Sequence, residues 1–496
     1  MIKKSRLLAI LLIPFLAGCD NKNSEPVKPN PDIDDNVPVV PDDKPGTDPN
    51  KEPVKDLTFY SINDSHGDLL RDPDVESYGF DGLKYLMDNE TKTKGYEDVV
   101  YLCTGDMFQG QYVSNNTRGK AVVDALNYID LDAFVLGNHE FDWGLDQIKL
   151  FKDGIEENGE LNCDILCANL RYKPTNSLPD WIKPYTIVEK AGHKVGIIGF
   201  MGEGLESSIL AEMVEDYEFI ETSTLANQYA RELREEKGCD TVVIGIHDYD
   251  INTFIDFSNQ ETPIDGIFGG HTHAFKLDDF NRRFDSKKIY SIQSGANNEG
   301  FSVINMKYNE DKTLNSTDAY SIHNKYSGND VDVKLKEMIE NKYATVIAQG
   351  NEVISEKFPG KSRYEWGKYV SSALIGKYSE GANVGLINKG GIRNSTDYRN
   401  SDGKLYAKQL FRVLPFDNKI YQVEIPRSAL DRLLSSSNKY HYWAKKNDIP
   451  SGDTYILNII DYVFDGAYDR DIFDQARIIK TFDLNIRDYV TKSIKG

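Results

Sequence analysis

Ala133-Phe134-Val135-Leu136-Gly137-Asn138-His139-Glu140-Phe141-Asp142-Trp143-Gly144 is the stretch whose reading decides the fold. Four apolar residues make a short buried strand. Gly137 stops it, and Asn, His, Glu and Asp follow at once. The same order recurs along the first half of the chain. Residues 56–62 run into Asn63-Asp64-Ser65-His66-Gly67, and residues 99–104 run into Gly105-Asp106. Residues 194–200 end in Met201-Gly202, residues 241–246 in His247, and residues 266–268 in Gly269-Gly270-His271-Thr272-His273. Residues 82–89, 120–129 and 224–236 carry helical periodicity between these strands. Strands alternating with helices predict an α/β fold with sheet faces covered by helices. In such folds, ligands gather beyond the carboxyl ends of the strands, which is where these polar residues fall.

Asp, His and Asn are oxygen and nitrogen donors suited to divalent metals, and alternate residues in Asp-x-His or His-x-His can converge on one side of a loop. Two cations held close together need a shared ligand; a carboxylate serves best, and Asp106 is the choice. Taken singly the signals are weak. A Gly-Asp pair is common, and a lone His247 on an apolar strand reads as a core histidine. Taken in order, they include five of the eight histidines. The set D-x-H, G-D, G-N-H-E and G-H-x-H resembles the calcineurin-like metallophosphoesterases, and G-N-H-E-F-D-W-G resembles their 5′-nucleotidase branch. That resemblance implies an N-terminal four-layer β-sandwich flanked by helices, followed by a smaller C-terminal α/β substrate-binding domain. It implies Asp64, His66, Asp106 and His273 around one metal, and Asp106, Asn138, His247 and His271 around a second. The two divalent ions would be Zn, Mn, Fe, Co or Mg. His139 matches the catalytic histidine and Asp142 the aspartate that orients it. Asp248 stands where relatives often carry a small residue. The implied chemistry is attack on phosphorus by a hydroxide bridging the metals.

The C-terminal portion carries the substrate signal. Asn388-Lys389-Gly390-Gly391-Ile392-Arg393 resembles N-x-G-G-I-R, and Leu414-Pro415-Phe416-Asp417-Asn418 resembles L-P-F-x-N. Arg363-Tyr364-Glu365-Trp366-Gly367 loosely matches an arginine-bearing segment before a helix. The resemblance implies that Arg363 and Arg393 grip phosphate or ribose. Asn388 and Asn418 would bond the base or sugar, and Phe416 would stack on the base. One element departs from the family pattern. Where relatives carry G-G-D-G and an aromatic, this chain has Phe464-Asp465-Gly466-Ala467-Tyr468. Tyr468 takes the aromatic's place, and Asp474 lies where relatives have an acidic residue. Two lost glycines can reshape this loop, and Phe416 and Tyr468 also read as ordinary core aromatics. The implied reaction converts nucleoside 5′-monophosphates to nucleoside and phosphate. Alternatives are a 2′,3′-cyclic-nucleotide phosphodiesterase with 3′-nucleotidase activity, a nucleotide-sugar diphosphatase, or a non-catalytic surface interaction protein.

The N-terminus supplies the compartment. Lys3, Lys4 and Arg6 precede an apolar run over residues 7–15, too short to span a bilayer, and then Leu16-Ala17-Gly18-Cys19. That pattern resembles a bacterial lipobox, with a signal peptide over residues 1–18 and lipid on Cys19. Residues 19–55, interleaving Pro with Asp, Asn and Lys, predict a disordered tether. The expected divisions are a metallophosphoesterase domain over 56–330, a linker helix over 331–350 and a substrate-binding domain over 351–496. The expectation is an extracytoplasmic protein lipid-anchored to a bacterial membrane. The net charge of −21 opposes nucleic acid as a bulk partner, while leaving room for a small nucleotide at a locally positive site. Cys103, Cys163, Cys167 and Cys239 match no zinc-ribbon spacing and read as buried thiols, with a Cys163–Cys167 disulfide the alternative.

Overall fold

The computed structural model describes residues 54–72, 77–250, 262–282, 285–323, 330–396, 402–447, 449, 451–467 and 470–496. The expected leader, most of the tether, Cys19 and Tyr468 lie outside them.

Two six-stranded sheets face each other in the N-terminal half. The first runs Leu314–His323, Gly300–Tyr308, Leu57–Ile62, Val100–Thr104, Ala133–Val135 and Asp164–Leu166. The second runs Phe275–Asn281, Lys288–Ser294, Gly266–Gly270, Thr241–His247, His193–Met201 and Tyr185–Lys190. Strand Leu57–Ile62 shows why its residues fold this way. Leu57 and Phe59 point between the sheets, while Tyr60 and Ile62 point into the helix layer, so both faces are buried. Leu102, Val135, Ile197, Val243 and Phe268 fill the space between the sheets. Burying each such side chain contributes roughly 1.5–3 kcal/mol. Helices Gly79–Lys94 and Lys120–Ile129 cover the outer face of the first sheet through Leu83, Val122 and Leu126. Helix Ser223–Arg231 covers the second through Ala226 and Ala230, against Ile198 and Ile244. The result is the expected four layers, helix–sheet–sheet–helix.

The carboxyl ends of the central parallel strands meet at one edge. Gly270 pairs with His247 and Thr104 with Val135. Thr104 Oγ1 crosses between the sheets to donate to the Gly269 carbonyl at 2.8 Å. Every donor singled out in the first half of the chain lies at or just beyond this edge.

The segment expected as one connecting helix is two, Val333–Lys342 and Ala344–Gly350. The break falls at Tyr343, whose buried side chain donates to Asp124. Leu335 and Ile339 of the first helix sit in the N-terminal core. A mixed five-stranded sheet follows, in the order His441–Lys445, Val384–Asn388, Thr454–Ile460, Lys419–Pro426 and Arg477–Asn485. Helix Arg363–Ala373 packs on it through Trp366 and Val370, and its first turn is closed by a Ser362–Glu365 capping box. The four described cysteines are buried free thiols, so Cys163 and Cys167 are not bridged. No helix among the described residues is long and apolar enough to cross a membrane.

Candidate active site

The strand ends converge because the backbone bends sharply just past them. Asp64, His66, Asp106, His271 and His273 all have positive φ, at 49°, 49°, 58°, 86° and 58°. Left-handed backbone is sterically costly for residues with a Cβ, though Asp and His tolerate it better than most. Such strain persists only where the surroundings impose it, and here they do. Asp64 N donates to the Gly105 carbonyl (3.0 Å) and His66 N to that of Asp106 (2.9 Å). The buried Glu140 carboxylate accepts from Gly137 N (2.6 Å), Asp106 N (2.8 Å) and Met107 N (2.9 Å). Burial, with Asp106 alongside, lifts the Glu140 pKa to about 7. Gly105 has no alternative. A Cβ there would stand 2.5 Å from Gly137 Cα and 2.8 Å from His247 Nδ1.

Two groups of donors result. Asp64, His66, Asp106 and His273 each bring a ligand atom within 4.8 Å of one another, as do Asp106, His247 and His271. Asn138 joins the second group, with Oδ1 3.1 Å from His247 Nε2 and 2.9 Å from His271 Nδ1. The hydrogen bonds behind the rings fix their tautomers. His66 Nδ1–H donates to the Gln109 carbonyl (3.0 Å) and His247 Nδ1–H to that of Thr104 (2.7 Å). His66 Nε2 is then left as an inward lone pair, while His247 Nε2 shares a proton with the Asp106 carboxylate that a cation would displace. His66 Nε2 faces His273 Nε2 at 3.1 Å, and His247 Nε2 faces Asp106 Oδ2 at 3.1 Å. Two carboxylates, an amide oxygen and imidazole nitrogens converge here, and a donor set of that chemistry fits cations.

The electrostatics agree. Burial works against the Asp106 carboxylate, yet His247 and His139 hold its pKa well below the usual range. Burial would also push His247 down, but Asp106 outweighs it and lifts His247 to about 10. This is a site that attracts positive charge. Burial and then Arg393 hold His66 well below its ordinary value, and burial and then His247 press His271 down to about 3. Both rings are therefore neutral and able to ligate.

A cavity of roughly 590 Å³ opens beside the donors. His139 lies on its wall, Nδ1–H donating to Asp142 Oδ2 at 2.8 Å. Burial alone would lower the His139 pKa; Asp142 and Asp106 together raise it. Facing it from the C-terminal domain are Asn388, Arg393, Phe416 and Asn418. Phe416 stacks on the His139 ring at 5.5 Å, and Arg393 Nη2 comes within 3.0 Å of His66 Nε2. The halves also meet through buried Arg412, 3.5 Å from Asp68 and 3.4 Å from Asp72. Two expected substrate contacts stand elsewhere. Arg363 is behind the wall, its guanidinium bonded to the Lys389 and Ile392 carbonyls of the Gly390-Gly391 turn. Asp474 is exposed and does not line the cavity. The structure adds Asp461 and Tyr462 at the end of strand Thr454–Ile460, and Trp143, Arg118 and Tyr249 from the N-terminal domain. Asp461 had a readable signal, an acidic residue directly after an apolar strand.

A four-layer sandwich carrying these donors at its strand ends defines a calcineurin-like phosphoesterase, and residues 57–275 match that family's model. Residues 347–471 match the 5′-nucleotidase C-terminal domain. The chain belongs to the 5′-nucleotidase family of metallophosphoesterases. A cell wall protein of Listeria monocytogenes is 25% identical over 494 residues, spanning 86% of this chain and 60% of that protein. A snake venom 5′-nucleotidase from Crotalus adamanteus is 24% identical over 425 residues, 78% of this chain and 71% of its own. The chain thus spans about 60% of the length of the first curated relatives it matches. A 5′-nucleotidase precursor from Thermus thermophilus shares the fold at a TM-score of 0.71 and 18% identity, over 89% of this chain and 96% of that one.

Proposed function

We propose that this chain is a dimetal phosphohydrolase that converts nucleoside 5′-monophosphates to nucleoside and phosphate outside the cytoplasm. One observation carries the reading. A cation-binding donor set and an aromatic, guanidinium and amide surface open onto the same cavity. Asp64, His66, Asp106 and His273 would hold one cation, and Asp106, Asn138, His247 and His271 the other. Divalent ions bound there would supply a water of lowered pKa and neutralise phosphoryl charge. The chain's own groups do the rest. Arg393 grips phosphoryl oxygens through its planar fork. His139, held by Asp142 and kept protonated to higher pH by it, gives its Nε2 proton to the leaving ribose oxygen. Phe416 stacks on the base, and Asn388 and Asn418 bond its edge. The leader over residues 1–18 and Cys19 support export and a lipid anchor.

The test is product release by the purified chain with Mn²⁺ or Zn²⁺ supplied, on AMP, 3′-AMP, 2′,3′-cyclic AMP, UDP-glucose and ribose 5-phosphate. Preference for AMP is the expected result. Activity confined to the cyclic or sugar nucleotide would replace the substrate, and silence throughout with metal bound would leave a non-catalytic surface protein. Cys19→Ala should release the protein from the membrane fraction.

A further inference from the structure

We infer that Asp461 fixes the polarity of the Asn418 amide, so that the cavity selects bases carrying an exocyclic amino group over bases with a keto oxygen in its place. The inference rests on the nucleotide reading above and deepens it. Asp461 follows strand Thr454–Ile460 and is only 3% exposed. Both of its oxygens are engaged. Oδ1 accepts from Asn418 Nδ2 and from Tyr462 N, each at 2.8 Å, and Oδ2 accepts from Lys419 N at 2.9 Å.

A carboxylate accepting three N–H groups has no proton to offer, so an amide can meet it only through its NH₂ end. Turning Asn418 by 180° would set oxygen against oxygen in a buried place, leaving two acceptors unsatisfied. The main chain is pinned as well, because Ile486 N donates to the Asn418 carbonyl at 3.0 Å. Asn418 Oδ1 has no hydrogen-bond partner among the described residues, and Asn418 lines the cavity beside Phe416.

The edge offered to a stacked base is thus an acceptor next to a donor in a set order. An amino group beside a ring acceptor complements it, as in adenine and cytosine. Hypoxanthine and uracil carry the reverse pattern, a keto oxygen beside a ring N–H. A free asparagine would flip to read either; Asp461 removes the choice. Asp461 is accordingly a positioning residue, acting on substrate through Asn418.

AMP and IMP differ at this edge alone, so the kcat/KM ratio between them is the readout, and it does not depend on how much of a preparation is folded. The wild-type ratio should favour AMP by about tenfold or more, the discrimination one amide–base pair supplies. In Asp461→Ala nothing holds the Asn418 amide by its NH₂ end, both orientations open to it, and the ratio should fall to within about threefold of unity. A merely structural role would depress both substrates alike and leave the ratio standing, which overturns the inference. Should Asp461→Ala not fold, Asn418→Ala must collapse the same ratio, and a preserved ratio there overturns it too. Equal hydrolysis of AMP and IMP by the wild type refutes the inference while sparing the nucleotide reading. Refusal of both nucleotides with ribose 5-phosphate still cleaved refutes both.

Discussion

The donor cluster of the N-terminal domain and the substrate-facing wall of the C-terminal domain border one cavity, yet they are built differently. The donors sit at or just past strand ends, five of the seven on left-handed backbone, clamped from behind by Glu140 and by carbonyls that fix the His66 and His247 tautomers. The opposite wall is made mostly of turns, and its side chains hold position through single partners such as Asp461 or the stacking on His139. In the first region backbone geometry places the chemistry, and no side chain there has much freedom. In the second, side chains choose among substrates, and one substitution can redirect them. Loss of a donor should therefore silence every ester, while a change in the wall should alter preferences.

The largest expected effect tests the first half of that contrast. Asp106→Asn, nearly isosteric and tolerant of left-handed backbone, should cut kcat/KM by about 10³-fold or more on AMP and ribose 5-phosphate alike. A chelator should bring the wild type down to the same floor. A variant that lost only AMP activity would break the comparison.

Asp142→Asn comes next, with kcat reduced about 100-fold. Its pH profile says more than its rate. Asp142 helps raise the His139 pKa in the wild type, so the protonated ring that serves the leaving oxygen persists to higher pH. Without the carboxylate that pKa falls, and the alkaline limb of kcat should move to lower pH. An unmoved limb would remove His139 as the acid.

Phe416→Ala probes the other wall. Base stacking supplies roughly 1–3 kcal/mol, so the preference for AMP over ribose 5-phosphate should drop about tenfold. Equal losses on the two would put Phe416 in the chemistry, through its contact with His139, instead of in selection.

The smallest effect is expected at the cavity mouth. Arg118 approaches Asp417 at 3.7 Å with both side chains about half exposed. Such pairs contribute about 0.2–1 kcal/mol. Arg118→Ala should change kcat/KM less than about threefold, and the difference should fade in high salt. A large change would show the two walls coupled at this point.

These contrasts track what was legible in the sequence. The α/β class was readable because apolar runs stop at glycine and polar residues, and because strands such as Leu57–Ile62 carry large apolar residues on both faces. The four layers came from the resemblance, since nothing in one strand says which sheet it joins. The donors could be picked out because each directly follows a strand. Partnerships across the fold were not legible. Glu140 stands in the quoted motif, but its three main-chain donors come from two separate loops. Arg363 was readable as an arginine before a helix, yet the Gly390-Gly391 turn leaves carbonyls that draw its guanidinium behind the wall. The connecting helix breaks at Tyr343, whose hydroxyl meets Asp124, a partner more than two hundred residues earlier that no local pattern announces.

The five left-handed donors also bear on how such a chain changes through descent. Asp64, His66, Asp106, His271 and His273 hold a backbone shape that glycine adopts without strain. While the chemistry is under selection, that relief is forbidden at all five. Once selection lapses, that relief counts most at half-exposed His273, while Asp64 and Asp106 remain tied to the main-chain N–H groups of His271 and His139. A descendant that had abandoned catalysis would then record the fact first as His273→Gly, a fossil trace readable with no assay at all.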